Sequence, residues 1–103
     1  MTRLLPAIAL AASCSAALAG NYPLGTMTCD DIGAFASEAM EWRKSGLPRE
    51  QALARLDERS YNDPVEKKNL LAVLDLVFGS YGRNWSVESA GNIMRTDCKA
   101  GRP

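Results

Sequence analysis

The chain is expected to be an all-α protein: a small bundle of four short helices stapled by one disulfide and preceded by a signal peptide. Three observations point there. Apolar residues recur at i, i+3, i+4 spacing in four segments, each with a start or stop signal. No segment of any length alternates apolar and polar residues with period two, so a sheet is not expected. Two cysteines, Cys29 and Cys98, stand near opposite ends of the exported part.

The first helix is expected in "TCDDIGAFASEAMEWRKSG". Thr28 can cap it with Asp31 three residues on, and Asp30 and Asp31 complement the positive end of the helix dipole. Cys29, Ile32, Phe35, Ala36, Ala39 and Met40 form its apolar stripe. Arg43 and Lys44 sit in the last turn, and Gly46 ends it. The second helix begins in "LPREQALARLDER", with Pro48 at the first helical position and Leu47, Leu53 and Leu56 on one narrow face.

The third helix has the clearest start. In "DPVEKKNLLAVLDLVFGSYG", Asp63 caps, Pro64 enters the first turn, and Glu66 completes a capping box. Leu70, Val73, Leu74, Val77, Phe78 and Tyr81 make the richest apolar face, so this helix is expected at the centre, with Gly79 and Gly82 loosening its end. The fourth opens at Ser86, runs through Val87, Ala90, Ile93, Met94 and Cys98, and stops at Gly101.

Export is read from the first residues. Arg3 precedes "LLPAIALAAS", an uncharged run too short for a bilayer helix, which needs about 20 apolar residues. Ala17-Leu18-Ala19 supplies a cleavage site, giving residues 1–19 as signal peptide and 20–103 as one helical domain in the periplasm or outside the cell. The alternative takes "AASC" as a lipoprotein site with Cys14 lipidated. Either way Cys29 and Cys98 remain as an even pair in an oxidising compartment, where a disulfide is the default. Closing a loop of about 70 residues stabilises by roughly 4 kcal/mol in the chain-entropy treatment. That matters for a chain that buries only about 60% of its unfolded surface.

Composition narrows the chemistry. The chain has 12 basic and 12 acidic residues and no histidine. Interspersed charges argue against a nucleic-acid partner or stable membrane insertion after processing. Without histidine and with both cysteines bridged, nucleophilic triads and the common metal sites lack their parts, so no catalytic, cofactor-binding or metal-binding residue is assigned. Asp30 and Asp31 as an acid pair are better explained as helix-start residues. Asp75 should point away from the apolar face; if buried, it would need Arg43, Arg55 or Arg95. The better lead is aromatic. Trp42, Tyr61, Arg83 and Trp85 are the candidate partner surface, because Trp, Tyr and Arg dominate binding hot spots. The competing reading has Trp42 and Trp85 plugging the ends of a small core.

Thr28, Cys29, Asp30, Asp31 and Ile32 in "MTCDDIGAF" resemble the segment around the first cysteine of HdeA-type periplasmic acid chaperones. The resemblance implies a small, exported, all-α fold with one disulfide and a chaperone activated by acid. In that family the second cysteine comes well before the C-terminal part, whereas Cys98 lies near the chain end. The wider layout is a leading cysteine, "WRKSGLPREQAL", a central helix ending in an aromatic and a trailing cysteine. It is similar to uncharacterised small exported proteins of proteobacteria, including helical periplasmic immunity proteins. The expected function is a non-enzymatic binding or inhibitor protein whose partner is another protein or a second copy of this chain. An acid-stress chaperone is the alternative, and an enzyme working through carboxylates alone is disfavoured by the small size.

Overall fold

The computed structural model describes residues 24–101. The signal-peptide and Cys14 readings fall outside these residues. Four α-helices and one 3-10 turn make up the described chain: α1 Cys29–Lys44, α2 Arg49–Asp57, α3 Pro64–Phe78, the turn Tyr81–Asn84, and α4 Val87–Lys99. No strand occurs among the described residues.

Local chemistry accounts for the helix ends. Thr28 and Asp31 form a reciprocal capping box: Thr28 Oγ1 accepts from the Asp31 amide at 3.1 Å, and the Thr28 amide donates to Asp31 Oδ2 at 2.9 Å. Ser86 and Ser89 repeat this arrangement at α4, a pairing that a search for Glu or Gln at that position overlooks. α1 stops in a Schellman motif. The Leu47 amide donates to Trp42 O and the Gly46 amide to Arg43 O, both at 3.0 Å, with Gly46 at φ +90°. This sharp stop turns the chain straight into α2. Pro48 is the cap of α2 rather than its first helical residue, because its extended backbone leaves only its carbonyl to accept from Gln51 and Ala52.

At α3, Asp63 Oδ1 accepts from the Val65 amide at 3.0 Å, and Pro64 is the first helical residue. The expected box is incomplete, because Asp63 accepts from Val65 rather than from Glu66; the Glu66 carboxylate, beside the Asp63 amide, also takes Thr26 and the Asn62 amide.

The disulfide joins α1 to α4. Cys29 and Cys98 are bonded with Cα atoms 5.5 Å apart. Residue 33 approaches 91 and Ser37 Oγ donates to Val87 O at 2.9 Å, so the two helices run antiparallel. Outside the clasp, Asp30 pairs with Arg95 at 3.2 Å, an exposed contact worth about 0–1 kcal/mol.

The centre of the bundle is α1, not α3. At 100° per residue α1 presents three faces. Gly33 and Ser37 lie against α4. Ile32, Ala36, Ala39 and Met40 are buried in the shared core, and Arg43 reaches the end of α3. Phe35, Glu38 and Trp42 turn toward α2 and the loop after it. α3 contributes the larger side chains Leu70, Val73, Leu74 and Val77 to the same core. α1 can be surrounded because its Gly, Ala and Ser residues let neighbours come close. Richness in large apolar residues measures payload, not position. Gly82 does not loosen the end of α3 either. A methyl group there would meet Val77 O at 2.3 Å, so the turn lies tight on the helix it follows.

Candidate interaction surface

The face of α1 that looks toward α2 carries an aromatic pair. Phe35 and Trp42 lie two turns apart, with ring centroids 5.9 Å apart and planes at 83°, an edge-to-face arrangement. The Schellman stop and the four-residue link from Ser45 to Pro48 fold α2 back beside them. That places the Arg55 guanidinium 5.2 Å from the Trp42 centroid and Arg59 5.1 Å from the Phe35 centroid. Each such contact is worth about 0.5–1 kcal/mol at an exposed site. Arg59 also bonds Glu38 at 2.7 Å. Arg55 is exposed and makes no ion pair among the described residues.

Beside this row lies a groove of about 330 Å³, lined by Met27, Phe35, Arg59, Tyr61, Glu66 and Leu70 among others. Tyr61 is half-buried, and its hydroxyl donates to Leu56 O at 2.7 Å. Burial raises its pKa above 10.0, and the nearby Arg59 and Lys67 charges oppose that. Glu66 is 4% exposed and closes the groove at the α3 end. Its pKa is lowered from 4.5, first by the Thr26 hydroxyl, then by the Thr26 amide, with burial opposing and the Asn62 and Asp63 amides assisting.

Of the four residues predicted as a partner surface, Trp42 and Tyr61 come to this side of the molecule, linked through Phe35. Arg83 and Trp85 belong to the turn before α4. Arg83 is exposed, and Tyr81 beside it is 74% exposed. Trp85 is half-buried against the core, and Trp42 also packs on it, so both rings do serve as plugs. Asp75 is exposed and pairs with Arg49 rather than with Arg43, Arg55 or Arg95.

Sequence reasoning did not single out Phe35, Arg55 or Arg59 for this surface. The four-residue spacing of Arg55 and Arg59 was visible, but the rings they cover lie on another helix. The usable signal was Gly46 followed by Leu47-Pro48, a stop and restart that returns α2 to the side of α1 carrying Trp42. Among the described residues no group of three or more Cys, Asp or Glu could hold a metal ion, and no helix is long and apolar enough to cross a membrane.

No family model, no curated protein and no solved structure matches this chain. The resemblance at residues 28–32 therefore rests on those residues alone.

Proposed function

We propose that this is a non-enzymatic binding protein of an exported compartment that takes a partner protein on the face built by Trp42, Phe35, Arg55, Arg59 and Tyr61. One observation carries the reading. The exposed Arg55 guanidinium lies over the Trp42 ring, 5.2 Å from its centroid, and makes no ion pair among the described residues. A guanidinium already held on a ring loses less freedom when it meets a partner, and Trp with Arg is the pairing that concentrates binding energy in interfaces. The groove beside it is shallow, mixed in polarity and ringed by acids that already have partners. That suits contact with a protein side chain better than enclosure of a small substrate.

The test compares capture from exported extract by the native protein, by Trp42→Ala and by Trp85→Ala. Each should first be shown folded by circular dichroism. The reading expects a captured protein that is lost with Trp42→Ala and kept with Trp85→Ala. Equal capture by all three removes this face from consideration.

A further inference from the structure

Glu66 is the one buried charged residue among the described residues, and what surrounds it is not a cation. Its Oε2 accepts from the Thr26 amide at 2.6 Å and from Thr26 Oγ1 at 2.7 Å. Its Oε1 accepts from the Asn62 amide at 3.3 Å. Thr26 Oγ1 in turn accepts from Asn62 Nδ2 at 3.2 Å. Thus the amides facing the carboxylate can only donate, and the threonine hydroxyl, which accepts from Asn62, donates to it as well. Gly25 completes the fit. It sits at φ +64°, and a methyl group there would lie 2.6 Å from Glu66 Oε2, so the backbone of residues 24–27 lies directly on the carboxylate.

We propose that residues 24–27 are a strap held on α3 by the ionised Glu66 side chain and released when that side chain takes a proton, while the bundle behind it stays closed. A proton on Oε1 faces the Asn62 amide, and one on Oε2 is accommodated only if the Thr26 hydroxyl turns its own hydrogen away. Every bond that holds the strap to the neutral acid also loses its charge assistance. Two features confine the release. Apart from Glu66 the strap is held by the Asn62 Nδ2 bond to Thr26 Oγ1 and by Leu24 and Met27, which pack on the core but are only half-buried; the Met27 amide bonds within the strap to Leu24 O. Cys29 follows after Thr28 and is tied to Cys98, so undocking stops at the start of α1. Release uncovers the side of Leu70 and Phe35 that Met27 now borders in the groove.

The other ionisable groups facing this point do not substitute for Glu66. On α1, Asp31 is held by the Thr28 amide and Glu38 by Arg59. In the loop before α3, Arg59 is engaged with Glu38, and Tyr61 donates to Leu56 O. Asp63 caps α3, and Lys67 is turned to Asp57 at 2.6 Å.

The experiment is amide exchange by NMR on the oxidised protein between about pH 6 and pH 2, corrected for intrinsic rates. The Thr26 amide is expected to lose at least tenfold of its protection on acidification, while amides of α1 and α4 beside the clasp keep theirs. Glu66→Gln should show the released strap at neutral pH. Thr26→Val, an exposed change that leaves the core untouched, should move the release to higher pH. Three results would overturn the proposal: a Thr26 amide still protected at the acid limit, loss of core protection at the same pH as the strap, or a strap that stays docked in Glu66→Gln.

Discussion

The backbones of Gly33 on α1 and Gly91 on α4 meet without side chains between them. A methyl group on Gly33 would lie 2.9 Å from Gly91 O, and one on Gly91 would lie 2.3 Å from Ser37 Oγ. The contact lies one to two turns from the disulfide and sets the closeness of the two helices. Gly33→Ala is expected to destabilise by about 1–3 kcal/mol, because neither backbone can retreat while Cys29 and Cys98 are bonded. Gly91→Ala should cost less if Ser37 rotates away, at the loss of its bond to Val87 O. Urea unfolding of the oxidised variants measures both.

α3 lacks a basic residue in its last turn, and Arg43 of α1 supplies the missing charge. Its Nη1 donates to Val77 O at 2.7 Å and to Gly79 O at 2.8 Å. Arg43→Met keeps much of the aliphatic stem and removes both charged hydrogen bonds. A loss of about 1.5–3 kcal/mol is expected, with Tm falling by about 4–8 °C per kcal/mol. Thermal unfolding followed at 222 nm checks this. A variant as stable as the parent would show that the end of α3 needs no cap.

Tyr61 gives a prediction on the alkaline side. Burial raises its folded pKa above 10.0, so the neutral phenol is favoured in the folded state. Its contribution is complete below the unfolded pKa and is lost as pH rises through the folded value. Tyr61→Phe removes the bond to Leu56 O, which keeps the Arg59 amide as a donor at 3.2 Å. The expected cost near neutrality is about 0.5–1.5 kcal/mol, shrinking above about pH 10. Denaturant midpoints of both proteins against pH test the sign.

The acid side runs the other way. Glu66 has a lowered pKa, so its contribution is present above the unfolded value and is lost as pH falls through the folded one. Gly25→Ala should weaken the same contact at neutral pH, both by its left-handed backbone and by collision with the carboxylate. The expected readout is a Thr26 amide that exchanges faster in the variant at neutral pH than in the parent, with the core amides unaltered.

Much of the fold was legible because its signals are local. Thr28 with Asp31, Asp63 with Pro64, Ser86 and Gly46 each mark a helix end through bonds that span two or three residues. The Cys29–Cys98 bridge was legible from the even cysteine count and the export expected from the first residues, and with it the antiparallel pairing of α1 and α4. What could not be read was three-dimensional neighbourhood. α1 is central because of its small residues, a property that a count of large apolar side chains conceals. Glu66 looked like a routine capping residue, and only the return of residue 26, forty positions away, makes it a buried anchor. Likewise Arg55 and Arg59 acquire their aromatic partners through a turn, not through a motif.

The face around Trp42 is the claim on which the proposed function stands, and site-specific photocrosslinking tests it most directly. A photoreactive residue replaces Gln51, exposed one turn before Arg55 on α2, or Asn92, exposed on α4. Each protein is illuminated in exported extract. A single discrete adduct from position 51 and none from position 92 is the predicted result. Adducts from position 92 alone, or none from position 51, would contradict it.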